Sequence, residues 1–320
     1  MTIELVAEEP RLSAVSGQSL DGRPLARHRA PAADLSPWIA RMFYTAVDQP
    51  AGRTVTCSLL SDTAFVRLIV AGDWVGEAAN GTIACSSGPL LFGPHSRAMP
   101  IRVTGSFATF GFALRPGALA ALGNPWGEIA TDEIRAIAPQ GPWSGWRTPP
   151  AADALAPDDA MTWLENALRS WIAARNPETP DPLAAALDSA AFVDPGEGIA
   201  QFAERMGVNH KRVQRMALRD FGMPPKLVMR RARVLDMASQ LLGVADRSEA
   251  MAHSLRYYDQ SHLIRDLRAL TGMTPGDLTR APHPILTLGL ETRQARRLEA
   301  IGLLAEGQDA PWRSASVEQA

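Results

Sequence analysis

Apolar residues recur at helical spacing in the stretch 199–224, IAQFAERMGVNHKRVQRMALRDFGMP. Ile199 and Phe202 lie on the apolar face of a first short helix. Gly207 follows, where a sharp turn needs a left-handed backbone conformation that glycine adopts at little cost. Asn209 suits the N-cap of a second helix, whose basic and amide side chains are left on the outside. This pattern is typical of a DNA-reading helix-turn-helix.

The same arrangement occurs a second time, about 50 residues further along the chain. A long helix is predicted from Lys226 to about Leu242, followed by a short helix over 249–255 and a second basic helix over 259–268. The exit 270–275, LTGMTP, mirrors the exit 221–225, FGMPP. The sequence therefore predicts two helix-turn-helix units joined by one helix. The candidate N-cap residues of the second unit are Ser248 and Asp259.

Before these helices, the stretch 53–114 alternates short β-branched or apolar runs with turn residues. Ala71-Gly72-Asp73 marks the end of one strand, and Asn80-Gly81 suits a type I′ hairpin turn. Regular short strands at this spacing predict a small antiparallel barrel of the cupin or jelly-roll kind. The predicted strands are 54–59, 65–70, 74–77, 82–86, 90–92, 101–104 and 109–114.

An amphipathic helix is predicted between these two parts, from Asp159 to about Arg175. Trp163 and Trp171 share its apolar face. Either this face contacts a partner, such as a second copy of the chain, or it packs on the chain's own barrel. Pro182–Val193 then reads as the first helix of the helical domain.

The predicted fold class is α+β with two domains. An N-terminal antiparallel β-barrel is followed by an all-α domain with two helix-turn-helix units. After that domain, Thr292–Leu304 is a candidate further helix, and 305–320 is expected to be disordered. The predicted boundaries are 1–150 for the β-rich sensing domain, 151–180 for the linker with its helix, 181–283 for the helix-turn-helix domain and 284–320 for a tail.

Composition and charge add to this picture. The chain of 320 residues has a net charge of −2 and two cysteines, so no disulfide framework is expected. It lacks an apolar signal segment and a run long enough to span a membrane, so a soluble cytoplasmic protein is expected. Residues 203–233 hold nine Lys or Arg against two Asp or Glu, including both lysines, Lys211 and Lys226. Such a local excess is the electrostatic footprint of a nucleic-acid surface.

The predicted barrel holds little catalytic equipment. Metal-dependent cupins need two or three histidines with a carboxylate, and the first 150 residues contain only His28 and His95. His95 is expected to be a surface histidine, with a pocket rim as the alternative. Neither Cys57 nor Cys85 has clustered basic neighbours that would activate a thiol for alkyl transfer. Aromatic side chains either form the core or line a cavity for an organic effector. The candidate ligand-binding residues are Trp74, Phe92, His95 and Phe112.

The helical part resembles the DNA-binding domain of the AraC/XylS family of bacterial transcription regulators. YYDQSHLIRDLRALTGMTPGDL matches the family signature at Tyr258, Gln260, Ser261, His262, Arg265, Gly272 and Pro275. The first unit matches at Ala203, Gly207-Val208-Asn209, Val213, Arg215 and Gly222. The β-rich part is compatible with the family's cupin-like sensing domain. Two departures are Arg256, where the family has a turn glycine, and Ala217-Leu218, where an aromatic-lysine pair is usual.

The resemblance implies that two recognition helices enter successive major-groove segments about 34 Å apart. Lys211, Gln214 and Arg215 are the base-edge candidates of the first helix, and Gln260, Ser261 and Arg265 those of the second. Arg219, Lys226, Arg230 and Arg231 are interpreted as phosphate contacts or solvated charges. The candidate DNA-binding set is Asn209, His210, Lys211, Arg212, Gln214, Arg215, Arg219, Lys226, Arg230, Gln260, Ser261, Ile264, Arg265 and Arg268.

The predicted function is therefore sequence-specific transcription regulation in response to a small-molecule effector, without catalysis or a cofactor. The expected partners are double-stranded promoter DNA, the effector, a second copy of the chain and, for an activator, RNA polymerase; no membrane is involved. Two alternatives remain open. One is a cupin-type metal-dependent enzyme with an accessory helical domain, and the other is a protein-binding adaptor.

Overall fold

The computed structural model describes residues 26–125, 129–137, 156–245 and 260–305. A β-sheet formed by the first part of the chain packs beside a group of helices formed by the last part. The strands are β1 Ala26–Arg29, β2 Ile39–Val47, β3 Thr54–Leu59, β4 Phe65–Ala78, β5 Gly81–Cys85, β6 Gly88–Phe92, β7 Met99–Leu114 and β8 Ile134–Ala136. The helices are α1 Ala118–Ala121, α2 Pro157–Ala173, α3 Pro182–Val193, α4 Ile199–Arg205, α5 His210–Asp220, α6 Pro225–Leu241, α7 Gln260–Thr271, α8 Pro275–Arg280 and α9 Pro284–Ala300.

The sheet is antiparallel and built on two long strands, β4 and β7. Its order is β1-β2-β7-β4-β6-β8, with β3 paired to β7 and β5 paired to β4. The predicted break at Ala71-Gly72-Asp73 is wrong, because β4 runs through it with shifts of register against β7. Gly72 has φ +91°, and a Cβ there would lie 2.5 Å from Cβ of Phe107. The glycine therefore allows a bulge that bends the strand where the sequence predicted its end.

The predicted hairpin between β4 and β5 is confirmed, but its turn lies one residue earlier. Ala78 pairs with Gly81, so Ala79 and Asn80 form the loop. Gly81 has a positive φ and Asn80 does not, which excludes the predicted type I′ turn. The Asn80 side chain instead bonds the backbone N–H and C=O of Ile134. Asn80 thus holds β8 at the edge of the sheet.

The predicted antiparallel sheet is present, but it does not close into a barrel. Among the described strands, no pairing joins the edges β1 and β8. Helices cover both faces instead: α2 packs on β2 and β7, and α9 packs on β3. The open sheet can therefore bury its apolar residues without closure. β1, β2 and β8 were not predicted.

Helix α2 decides between the two interpretations of its apolar face. Met161, Leu164 and Leu168 are buried against the sheet, and the Trp163 ring meets Phe110 edge-on at 6.2 Å. The face therefore packs on the chain's own sheet. Asn176, with φ 43°, lies just beyond the end of the helix.

The helical part follows the predicted pattern closely up to residue 245. Helix α3 has the predicted bounds, and α4 and α5 meet at Gly207, which has φ 64°. Gly222 and Gly272 both adopt the left-handed conformation, so the two matching exits share a backbone geometry. The expectations for Ser248, 249–255, the turn at Arg256 and Asp259 lie outside the described residues.

Helix α9 begins two turns before the predicted Thr292 and ends earlier, at Ala300. It lies between the sheet and the helical domain, against β3, α3 and α6. Residues 306–320, for which disorder was expected, lie outside the described residues. None of the described helices is long and apolar enough to cross a membrane.

Candidate nucleic-acid interface and interior cavity

The first helix-turn-helix unit presents a polar surface on α5. Val213, Met216 and Ala217 are buried against neighbouring helices, which fixes the orientation of the helix. Side chains spaced between them must therefore point outward. Those side chains are exposed, as predicted: His210, Lys211, Arg212, Gln214, Arg215 and Arg219. Leu218 is also exposed, at 48%.

Two of these arginines are engaged by carboxylates within the domain. Arg212 and Arg219 lie 3.4 Å and 3.2 Å from Asp181, which also caps α3, and Arg219 lies 2.6 Å from Asp220. The two arginines are half-exposed, but the carboxylates of Asp181 and Asp220 are 15% and 1% exposed, so these pairs hold both guanidinium groups against the domain. Lys211, Gln214 and Arg215 are thus the better-placed donors of α5 for a ligand outside the domain.

The N-terminus of α5 depends on Asn209. As predicted, its side-chain oxygen accepts from the N–H of Arg212, at 2.9 Å. We expect Asn209→Ala to lower the free energy of unfolding by about 1 kcal/mol, because a first-turn amide loses its acceptor. Urea denaturation measures the change. Asn209→Ser is the matched control, because Ser also caps; an equal loss in both variants would contradict the capping role.

The second unit places its predicted residues on α7. Leu267 and Leu270 are buried, whereas Ile264, Arg265 and Arg268 are exposed. Gln260 and Ser261 occupy the first turn of the same helix, and their side chains lie outside the described part of the chain. The exposed residues occupy a face away from the buried leucines, as expected for a recognition helix.

Three basic residues of α6, which were predicted to be phosphate contacts or solvated charges, have different surroundings. Lys226 is exposed, and Arg230 lies 3.7 Å from Asp266 of α7, so it links α6 to the second unit. The interpretation of Arg231 as a phosphate contact or solvated charge is wrong. Only 2% of it is exposed, and its guanidinium donates to the backbone oxygens of His95 and Asp62, at 2.7 Å and 2.6 Å. Arg231 therefore points into the junction with the sheet and away from solvent.

Arg231 belongs to a cluster of buried charges that joins the two parts of the molecule. We call Asp62, Arg231, Asp236, Arg293 and Arg297 the junction cluster. Arg293 of α9 donates to the Asp62 carboxylate and lies 3.2 Å from Asp236, which also lies 3.3 Å from Arg297. Although burial opposes it, Arg293 and Arg231 hold the pKa of Asp62 below its usual value. The sheet, α6 and α9 are therefore held together by one network.

Sequence reasoning missed this network by assigning 284–320 to a tail. One signal was available: arginines at 293, 296 and 297 recur at helical spacing after an apolar run. Their carboxylate partners come from distant segments. Asp188 of α3, for example, lies 3.3 Å from Arg296.

A cavity of about 130 Å³ lies between the sheet, α6 and α9. Of the four candidate ligand-binding residues, only Trp74 lines it. Phe92 packs behind the wall, stacked on Phe65 with ring centroids 4.4 Å apart. Phe112 belongs to the core on the opposite face of the sheet, under α2.

His95 is the fourth candidate, and the expectation of a surface histidine is wrong. It is fully buried, its Nδ1 accepts from the N–H of Ser61 at 3.1 Å, and it does not line the cavity. Burial lowers the pKa of His95 to about 4; Asp132 opposes the shift, and Arg231 and Arg67 add to it. The imidazole is therefore neutral at physiological pH. It lies buried at the junction, where the backbone oxygen of His95 accepts from Arg231.

A buried neutral histidine makes stability depend on pH. The pKa of about 4 in the folded protein lies below the unfolded value of 6.5, so the unfolded chain binds more protons between these two pH values. We expect His95 to cost the fold about 2 kcal/mol between pH 7 and pH 5. Urea denaturation at both pH values, compared with His95→Asn, isolates this contribution. The same acid sensitivity in the variant would contradict it.

The described residues place one complete helix-turn-helix, α4 and α5, and the second helix of the other unit, α7, in a helical part beside the β-sheet. Residues 202–281 match the family described as a helix-turn-helix domain, and residues 27–134 match a domain of unknown function, DUF6597. The match over 202–281 supports the predicted class, a DNA-binding transcription regulator. No curated protein sequence matches the chain.

Several solved structures are similar to the chain at low identity. Unsaturated fatty acid-bound ToxT from Vibrio cholerae has 10% identity and a TM-score of 0.44, with 75% of this chain and 95% of that chain covered. ToxT bound to (E)-4-(8-methylnaphthalen-1-yl)but-3-enoic acid has 10% identity and a TM-score of 0.44, covering 78% and 99%. The AraC-like transcriptional activator CuxR has 12% identity and a TM-score of 0.26, covering 67% and 87%.

Proposed function

We propose that this transcription regulator reads promoter DNA through α5 and α7 and changes its DNA affinity when a small molecule occupies the interior cavity. The observation that carries the DNA-reading part is the orientation of α5. Its apolar face is buried, so Lys211, Gln214 and Arg215 project outward together. Arg pairs with guanine, Gln with adenine, and Lys with guanine or phosphate.

The second helix supplies the other half of the reader in this proposal. Arg265 is exposed on α7, and Gln260 and Ser261 occupy its first turn. Ile264 is 41% exposed and suits apolar contact with a thymine methyl group. Lys226 and Arg268 are assigned to phosphates, which position the protein without reading sequence.

Genome-wide DNA capture with the purified protein tests the proposal, because the recovered sites give motif, spacing and target genes together. We expect sites with two half-motifs about one helical turn apart and an affinity that falls steeply with salt. Recovery of random fragments would contradict base reading. Binding to a protein but not to DNA would favour the adaptor alternative.

The effector part of the proposal rests on the walls of the cavity. Phe43, Phe65 and Trp74 come from the sheet, Leu235 comes from α6 of the DNA-binding domain, and α9 supplies much of the opposite wall. A ligand inside would touch both parts of the molecule. It therefore stabilises whichever relative position of the two domains binds it better.

The proposed function is binding rather than catalysis. Burial raises the pKa of the Cys57 thiol, and burial also raises that of Cys85, so neither thiol is activated for alkyl transfer. Among the residues that the structure describes, no three His, Cys, Asp or Glu side chains gather where they could hold a metal ion.

Two protein partners belong to the proposal. Self-association would need a surface other than the apolar face of α2, because that face is buried on the sheet. Light scattering with and without operator DNA measures it. RNA polymerase is a partner if the protein activates transcription, and in vitro transcription from a captured promoter distinguishes activation from repression.

A further inference from the structure

The interior cavity has a positively charged wall. Its ionisable lining residues are Asp62 and the four arginines Arg41, Arg67, Arg293 and Arg296. Asp62 is already paired with Arg293, so its charge is neutralised within the junction cluster. The wall therefore has an excess of positive charge over an otherwise largely apolar lining.

Arg67 differs from the other three arginines of the wall. Arg41 pairs with Glu299 at 2.6 Å, Arg293 with Asp62 and Asp236, and Arg296 with Asp188. Among the described residues, Arg67 has neither a carboxylate nor a hydrogen-bond acceptor, and its Nε is buried without a partner. A buried polar group without a partner is rare in native proteins and needs an explanation.

Three aromatic rings hold the Arg67 guanidinium in place. Its central carbon lies 5.5 Å, 5.6 Å and 5.1 Å from the ring centroids of Phe43, Phe65 and Trp74. Ring faces attract a cation but accept no conventional N–H hydrogen bond from its fork of donors. Burial lowers the pKa of Arg67 to about 10, so the group still carries its charge at neutral pH. The rings therefore orient a charged fork whose hydrogen bonds are unmade.

The size of the cavity limits what can meet this fork. Its volume of about 130 Å³ is close to the ~150 Å³ of an engineered apolar cavity that binds benzene. One six-membered ring, or a branched aliphatic group of similar volume, fits such a space. A long acyl chain exceeds this volume.

We propose that the cavity binds a small organic carboxylate. Its two oxygens accept from the Arg67 guanidinium among Phe43, Phe65 and Trp74, and its compact apolar body fills the space below α9. A planar carboxylate matches the guanidinium fork in a bidentate pair, which explains why Arg rather than Lys stands here. This inference rests on the proposed function and names the class of its effector.

Benzoate and benzamide are the probes, because they share one shape and differ in charge. With the full-length protein, we expect benzoate to raise the melting temperature and to give saturable heat on titration, and benzamide to do neither. In Arg67→Met, benzoate should bind at least about tenfold more weakly, the loss expected for a charge-assisted hydrogen bond. Arg67→Lys keeps the charge without the fork and should lie between the two.

Stability without ligand separates a binding role from a structural one. Met keeps the apolar stem and removes a buried charge that lacks an acceptor, so ligand-free Arg67→Met should melt at the same temperature as the wild type or higher. Arg102→Met, at an exposed arginine of β7, is the matched control and should bind benzoate like the wild type.

Several results would overturn the inference. These are equal binding of benzamide, undiminished benzoate binding by Arg67→Met, tighter binding of phenyl phosphate than of benzoate, and no binding of any carboxylate by a protein that captures specific DNA. The last result leaves the DNA-reading part of the proposed function standing. Benzoate binding that needs Arg67 but leaves DNA affinity unchanged supports the inference and contradicts only the effector coupling.

Discussion

Replacing Arg293 with Met is expected to lower the free energy of unfolding by about 3–5 kcal/mol. The side chain is 5% exposed and donates to Asp62 of the sheet, Asp236 of α6 and the backbone of Ala191. Met fills much of the volume but leaves two buried carboxylates short of a positive partner. Breaking a buried ion pair from one side costs far more than the pair contributes. Urea denaturation of the full chain, followed by circular dichroism, measures the loss.

Arg280→Met is the matched control for this prediction. Arg280 also faces a carboxylate, Asp277 at 3.4 Å, but its side chain is 78% exposed. An exposed pair contributes about 0–1 kcal/mol, so the control should stay close to the wild type. If the two variants lost the same stability, the junction cluster would not be holding the domains together. The denaturation profile of Arg293→Met should also separate into two transitions, because the sheet and the helices lose a shared ion pair.

Replacing Arg215 and Arg265 together with Ala is expected to abolish specific DNA binding. The two arginines are exposed on α5 and α7, on separate helices. A bidentate base contact contributes about 1–3 kcal/mol to discrimination, and contacts at independent sites add. The double variant should therefore lose about 2–6 kcal/mol on a captured operator, and each single variant about half of that. Fluorescence anisotropy with operator and random duplexes at one salt concentration measures both losses.

The comparison between operator and random duplexes distinguishes base contacts from phosphate contacts. Loss on the operator with random-duplex binding reduced much less would support base reading. An equal loss on both duplexes would show that these arginines contact phosphates only. Arg102→Ala with Arg135→Ala is the matched control, because it removes the same charge from exposed positions of the sheet domain. It should leave operator affinity unchanged apart from a small electrostatic effect.

Sequence reasoning was most successful where a local rule decides the structure. Gly207 takes the left-handed conformation, Asn209 caps α5, and Val213 and Met216 are buried on the inner face. Each outcome depends on residues within two turns of one another. Helix α5 and its outward donors could therefore be read from the chain directly.

The same reasoning was weaker where the outcome depends on distant residues. Arg231 sits in a strongly basic stretch, and the local pattern does not distinguish it from exposed arginines. Its burial depends on the backbone oxygens of Asp62 and His95, more than 130 residues away in the chain. His95 is also buried by a distant segment, because Arg231 of α6 donates to its backbone oxygen. Gly72 marks a bulge rather than a turn because β7 lies beside it and continues the pairing.

The residues that line the cavity were the hardest to predict from the sequence. Of the aromatic residues proposed to line it, Trp74 does so, whereas Phe92 and Phe112 pack elsewhere, because the bend in β4 and the position of α9 decide which face meets the empty space. Arg67 was not singled out, since a lone arginine in a strand usually faces solvent. Its ring partners come from three positions that only the folded sheet brings together.

The sequence by itself therefore predicted the class of this protein from the repeated helix-turn-helix pattern, the turn and cap of the first unit, and the charge that marks a nucleic-acid surface. These features follow from helical periodicity and backbone preference, which act over a few residues. The tertiary structure alone decided which arginines are exposed on α5 and α7, which join the two parts of the molecule and which one lines the cavity without an acceptor. Burial and ion pairing depend on segments far apart in the chain, and only packing brings those segments into contact.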